Sequence, residues 1–188
     1  MTKVAITGGI GSGKSYVSKL LDQKGIQVYD CDAAAKRLMC TSAELRTALC
    51  RLVGLEVYVG SILQKPVLAK FLLSSDDHKQ AINDIVHPAV ARDFEQSGCD
   101  WLESAIFFDS HFCSRVYINK VVCVTAPQEV RIRRVMERDH ISREKTLEWM
   151  SRQMPQEQMV ELSDYAIVND GQTPLEPQIN ELIRNINL

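Results

Sequence analysis

The sequence predicts an α/β protein whose parallel sheet is covered by helices. Three observations carry that expectation. Short apolar runs alternate with segments of helical period. A complete glycine-rich phosphate-binding motif stands between the first such run and the first helix. A long all-helical stretch then interrupts the alternation. Ligands on such sheets bind at the carboxyl ends of the strands, so the chemistry is expected there.

Residues 3–7 form an apolar run that ends at Gly8-Gly9, which reads as a buried strand and a turn. A helix follows from about Gly13: Val17, Leu20 and Leu21 share one face, and Gly25 ends it. Residues 26–29 read as a second strand ending at Asp30-Cys31-Asp32, and 33–39 as a helix whose start suits those acids. Residues 41–99 read as several helices, one over about 44–53, one over 67–73 and one or two over 76–96, with Pro66 and Pro88 as helix starts or breaks. So long a connection between two strands is an insert. Strands are expected again at 104–108, ending in Asp109, and at 121–125. Thr125 and Gln128 have the spacing of a capping box for a helix to about 137. A basic, polar segment runs from 138 to 158, then a last strand at 165–168 and a turn at Asp170-Gly171. Leu175, Ile179, Leu182, Ile183 and Ile186 give the closing helix its apolar face.

Composition sets the outer bounds. A chain of 188 residues is one domain with room for an insert. Its 22 basic and 24 acidic residues leave a net charge of -2, which disfavours a general nucleic-acid binder but allows a local basic patch. With 45% hydrophobic and 24% charged residues it is neither disordered nor fibrous. No apolar run approaches the roughly 18 residues of a membrane span, and Val4-Ala5-Ile6 is too short for a signal-peptide core. A cytoplasmic monomer is expected. The six cysteines include no Cys-x-x-Cys pair, so they read as reduced, mostly packed thiols.

Gly8-Gly9-Ile10-Gly11-Ser12-Gly13-Lys14-Ser15 satisfies G-x-x-x-x-G-K-[ST] in full. Its glycines let the backbone turn several N–H groups inward as an anion nest, and the following helix adds its positive end. Lys14 is suited to the outer phosphates of a nucleoside triphosphate and the Ser15 hydroxyl to Mg²⁺. The G-x-S-x-G spacing of a hydrolase is not met, because Ile10 and Lys14 stand in the flanking positions. A guanine-reading Asn-Lys-x-Asp is not met either, since Asn119-Lys120-Val121 is followed by Val122. Small P-loop kinases remain the main class.

Asp30, Asp32 and Asp109 each follow an apolar run. Such an aspartate serves a hydrated Mg²⁺, orients an attacking hydroxyl or caps a helix, and for Asp30 capping and function both stand. Arg131, Arg133, Arg134, Arg138, Arg143, Lys145 and Arg152 crowd one short stretch. Arg131, Arg134 and Arg138 share a helical face, read as a solvated surface or, given the excess of arginine, as an anion-binding lid.

In order along the chain these motifs resemble the dephospho-coenzyme A kinase family. The resemblance rests on Thr7-Gly8-Gly9-Ile10 leading into the P-loop, on Asp30-Cys31-Asp32 where the family has Asp-Ala-Asp, and on His87-Pro88 in the insert. It continues through residues 105–109, where the family usually has Pro-Leu-Leu-Phe-Glu, then Arg138 and Arg143, and Gln153, Asp164, Asn169 and Gly171 near the end. It implies a three-layer P-loop fold with a five-stranded parallel sheet. The core would take residues 1–40, 100–137 and 162–188, the helical coenzyme A-binding insert about 41–99, and the lid about 138–161. It implies transfer of phosphoryl from ATP, with Mg²⁺, to the ribose 3′-hydroxyl of dephospho-coenzyme A, the last step of coenzyme A synthesis. Nucleic acid and membrane are not expected partners.

By the same resemblance Asp32, Lys14 and Arg138 are the catalytic candidates, with Asp32 as base. Gly9, Gly11, Ser12, Gly13, Lys14, Ser15, Tyr16, Arg143, Asn169 and Gly171 would bind ATP, the last two near adenine. Asp32, His87 and Asp109 would hold the acceptor, and Ser15 the metal. Tyr16 replaces a usual threonine, Asp109 a glutamate, and Lys65 a common arginine. His87 reads equally as a helix-start residue. Two rivals stand beside this reading: a small P-loop kinase for another alcohol, and an ATP-binding regulator without transfer activity. The Asp30/Asp32 pair and His87-Pro88 favour the first reading over the former, and the intact Lys14, Ser15 and Asp32 over the latter.

Overall fold

The computed structural model describes residues 2–186. It divides into two compact units: one takes the chain up to Asp30 and again from Cys99, and the other is Cys31–Gly98.

The first unit is built on a five-stranded, wholly parallel sheet, as the sequence implied. Its strands are β1 (Val4–Thr7), β2 (Val28–Asp30), β5 (Trp101–Glu103), β6 (Lys120–Thr125) and β7 (Tyr165–Val168), in the order β2-β5-β1-β6-β7. β1 is central and buried along its whole length, which is why its sequence is continuously apolar and does not alternate. Val4, Ile6, Val122, Val124 and Ile167 face a core completed by Val17 and Leu21 of α1 (Lys14–Asp22). Ile179, Leu182 and Ile186 of α9 (Leu175–Ile186) close the same core. α6 (Gln128–Asp139), α7 (Arg143–Ser151) and α8 (Gln156–Glu161) fill the chain between β6 and β7.

Two expectations fail in this unit. The strand placed at 104–108 lies earlier, at Trp101–Glu103, where Trp101 and Leu102 pair with Val4 and Ala5 on one side and Val28 and Tyr29 on the other. Ser104 adds one more bond to Ile6, and the chain then turns, Ile106 accepting from both the amide and the hydroxyl of Ser110. Phe107, apolar enough to suggest a strand, is a buried plug of that turn. Asp109 therefore lies in a turn beyond the strand. The capping box of Thr125 and Gln128 does not form: Pro127 occupies the N-cap position, and the Thr125 hydroxyl points to the carbonyl of Ile167.

The second unit comprises α2 (Cys31–Thr41), α3 (Ala43–Val53), α4 (Lys65–Leu72) and α5 (Asp76–Ser97). Ser42 and Ser75 cap α3 and α5 through their hydroxyls. Leu45, Leu49, Leu68, Ile82, Val86, Val90 and Phe94 are its buried apolar side chains. The expectation of helices alone is corrected by a hairpin of β3 (Tyr58–Val59) and β4 (Ile62–Leu63), turning at Gly60 and Ser61. Pro66 starts α4 as expected, but Pro88 lies inside α5, which continues through it.

Candidate active site

The P-loop connects β1 to α1 at the carboxyl edge of the sheet. Gly13, at the N-cap of α1, has φ 92°, a left-handed conformation that an L side chain rarely adopts. Lys14 is buried, and its ammonium donates to the Gly8 carbonyl at 2.9 Å. The loop is braced from outside. Gln153 Oε1 accepts from the Ile10 amide at 2.7 Å, and Arg131 Nε donates to the Ile10 carbonyl at 2.9 Å. Asn169 Nδ2 donates to the Ser12 carbonyl at 2.8 Å, while the Asn169 amide donates to Thr125. Arg134 Nη1 reaches the Asn169 carbonyl at 3.0 Å and Nη2 its side-chain oxygen at 3.3 Å. Residues far apart in sequence thus fix both halves of the loop, leaving its amides set before any anion arrives.

Glu103, at the end of β5, receives hydrogen bonds from Ser15 Oγ at 3.1 Å and Ser18 Oγ at 2.9 Å. Burial raises its carboxyl above the ordinary range; Ser18, Lys14 and Ser15 pull it back, and Asp30 adds to the rise. A hydroxyl and a carboxylate in contact are hard oxygen donors of the kind Mg²⁺ takes, and a cation there would favour the ionised form of Glu103. Among the described residues no group of three or more His, Cys, Asp or Glu side chains is placed to hold a metal. This is a partial donor set, suited to an ion whose other ligands are phosphate and water.

The model of the dephospho-CoA kinase family matches residues 2–174. The chain belongs to the dephospho-CoA kinase family. A dephospho-CoA kinase of Bacteroides fragilis is 43% identical over 188 residues, covering 96% of this chain and 91% of that protein. One of Porphyromonas gingivalis is 37% identical, covering 99% and 95%. A crystal structure of a Thermus thermophilus protein superposes with a TM-score of 0.80 at 31% identity, covering 99% of this chain and 96% of that one. As a member of a kinase family, the protein takes its phosphoryl group from a nucleotide donor.

The remaining sequence candidates of this dephospho-CoA kinase family member fall as follows. Gly9, Gly11, Ser12, Gly13, Lys14 and Ser15 form the loop itself, and Tyr16 beside them is exposed. Asn169 is buried against the loop, and Gly171 lies in a turn where Asp170 accepts from the amides of Gln172 and Thr173. Asp109 Oδ1 accepts from the Met154 amide at 2.8 Å, so it is joined to the segment between α7 and α8. Arg138 makes a two-point ion pair with its neighbour Asp139, and Arg143 one with Glu129 at 2.7 Å. Asp164 receives Lys120 Nζ and the Val121 amide, both at 2.8 Å. Asp30 ends β2. Asp32 is exposed in the first turn of α2, and His87 is buried in α5, both in the second unit. Glu103 escaped sequence reasoning because the expected strand started one residue after it. The signal that would have found it is an acid ending an apolar pair, Trp101-Leu102, with no glycine or proline to break the run.

Proposed function

We propose that the protein phosphorylates the ribose 3′-hydroxyl of dephospho-coenzyme A with ATP, giving coenzyme A and ADP. The observation that carries this reading is a fully braced P-loop, with Lys14 and Ser15 in place, in a chain of this family. The loop amides and Lys14 receive the outer phosphates, and transfer then depends mainly on position and charge. Ser15 and Glu103 would hold Mg²⁺, which would supply charge neutralisation at the phosphates. Asp32 orients the acceptor hydroxyl and takes its proton. His87 and Asp109 are assigned to the acceptor side, Asn169 and Gly171 to the adenine side, and Arg138 and Arg143 to the lid. For the last two, the ion pairs with Asp139 and Glu129 must open or swing before either meets a phosphate. The helical unit Cys31–Gly98 is assigned to coenzyme A binding, and residues 138–161 to the lid.

The reaction is placed in the cytoplasm, with the protein acting as a monomer. The free state of all six cysteines supports a reducing compartment.

The test is ADP release with and without dephospho-coenzyme A, with the phosphorylated position read by NMR. Acceptor-dependent ADP with phosphate on the 3′-oxygen is expected. ADP release indifferent to the acceptor would reject the reading, and transfer to another alcohol would move the enzyme to a different kinase class.

A further inference from the structure

The segment between β6 and β7 holds six arginines, and the structure separates four of them. Arg138 and Arg143 are each neutralised by a two-point carboxylate pair, and Arg134 is taken up by backbone carbonyls and Asn169. Arg131 differs. It is only 7% exposed, yet among the described residues no carboxylate makes an ion pair with it. Its Nε, bound to the Ile10 carbonyl, is the one donor of its guanidinium with an acceptor among the described residues. The terminal nitrogens lie against Gly9, so closely that a Cβ there would stand 2.2 Å from Nη2. Glycine at this position makes room for the arginine.

Glu157, on the same cavity, acts on Arg131 electrostatically but makes no ion pair with it, and a buried cation without a directly paired anion is expensive to hold. Guanidinium is also the side chain whose fork best fits phosphate oxygens. Two further features point the same way. Lys14 is bonded to Gly8 and Arg131 lies on Gly9, so two cations flank consecutive residues of one phosphate loop. Both also act electrostatically on the buried Cys123 thiol at the sheet's centre. In addition, Arg131 lines a cavity of about 290 Å³ with Gln128, Met150, Met154, Gln156 and Glu157.

We propose that Arg131 is a binding residue for the outer phosphates of the donor nucleotide, a second cation of the P-loop alongside Lys14. The inference rests on ATP being the donor. Its Nε bond positions the loop, and its terminal nitrogens are kept for the ligand.

The test compares Arg131→Gln, Arg131→Met and Arg131→Lys with the parent, measuring ATP and AMP affinity by calorimetry and the thermal midpoint of the free protein. In the Gln and Met variants ATP affinity is expected to fall about 10–100-fold, the worth of a charge-assisted contact. AMP, which lacks the outer phosphates, keeps its affinity, and Lys recovers part of the loss. The midpoint of the Met variant stays near the parent's, because removal of a buried, unpaired charge offsets the lost Nε bond to Ile10. Equal losses for ATP and AMP would overturn the proposal and make Arg131 a structural brace. So would ATP affinity within about twofold of the parent in folded Gln and Met variants. If the parent binds ATP and the variants are indifferent, this inference alone fails; if the parent binds no ATP, the proposed function fails with it.

Discussion

Asn169 Nδ2 donates to the carbonyl of Ser12 at 2.8 Å, fastening the end of β7 to the P-loop across most of the chain's length. The same side chain accepts from Arg134 through its oxygen, so one buried amide serves two partners. Replacing it by alanine leaves the Ser12 carbonyl only the longer bond from Arg134 Nη1, at 3.4 Å, and takes the side-chain acceptor from Arg134 Nη2. Asn169→Ala is expected to lower stability by about 1–3 kcal/mol and to weaken ATP binding as the loop loosens. Chemical denaturation and calorimetry measure the two effects; an unchanged ATP affinity would show that the loop holds its shape without this brace.

Gly13 has φ 92°, and a Cβ there would stand 2.1 Å from Asn169 Nδ2. Gly25 has a similar φ of 81° but nothing within 4 Å. Gly25→Ala isolates the conformational strain, about 1–2 kcal/mol, and is expected to leave turnover alone. Gly13→Ala adds the clash and is expected to cost more than Gly25→Ala in stability and to abolish turnover. Equal effects of the two substitutions in the same assay would refute the close contact.

Asp109 was expected to touch the acceptor, but its Oδ1 accepts from the Met154 amide. If it serves as this tether, Asp109→Asn keeps an acceptor oxygen and most of the activity. Asp109→Ala leaves the amide without that partner, speeds proteolysis between α7 and α8, and raises KM for ATP. If Asp109 instead binds the acceptor through its charge, Asn is nearly as damaging as Ala, and KM for dephospho-coenzyme A moves.

Burial raises the Glu103 carboxyl above its ordinary value of 4.5. For an acid raised by folding, the favourable contribution is complete below the unfolded value and is lost as pH climbs through the folded one. The free parent should therefore lose stability relative to Glu103→Gln as pH rises above the ordinary glutamate value of 4.5 and through the raised folded one. Adding Mg²⁺–ATP should reverse the ranking at neutral pH, because glutamine offers the metal no charge. Parallel melting curves across that range would refute the buried-acid reading.

Asp32→Asn separates catalysis from helix capping. Asparagine caps about as well as aspartate, so a capping residue tolerates the change. A base does not: single-turnover rate is expected to fall about 10²–10³-fold, the lower part of the usual range because a loose transition state asks less of a base. ATP affinity and thermal midpoint stay near the parent's. An unchanged rate would reject the catalytic role.

Local signals were legible in the sequence, and long-range ones were not. The P-loop, β7 and the apolar face of α9 are read from contiguous motif or period, and the structure has them where expected. The hairpin around Gly60 was lost because its strands are two residues each, too short for any period to register. β5 was displaced because Ile106, Phe107 and Phe108 outweigh Trp101 and Leu102 in apolar content. Whether an apolar residue pairs in a sheet or plugs a turn is decided by its neighbours in space. The braces from Gln153, Arg134 and Asn169 leave no periodic trace, since each is a single polar side chain meeting a distant carbonyl or amide.

The strand order has a consequence for how the chain reaches this state. β1 and β2 are neighbours in sequence but not in the sheet; β5 stands between them. Until Trp101 and Leu102 have left the ribosome, neither early strand has its partner, and Val4, Ala5 and Ile6 travel as unpaired apolar chain. Cys31–Gly98, by contrast, is a compact unit continuous in sequence. Translation therefore delivers that whole unit before either early strand has a partner, and the sheet closes around β1 only after β5 and β6 are made.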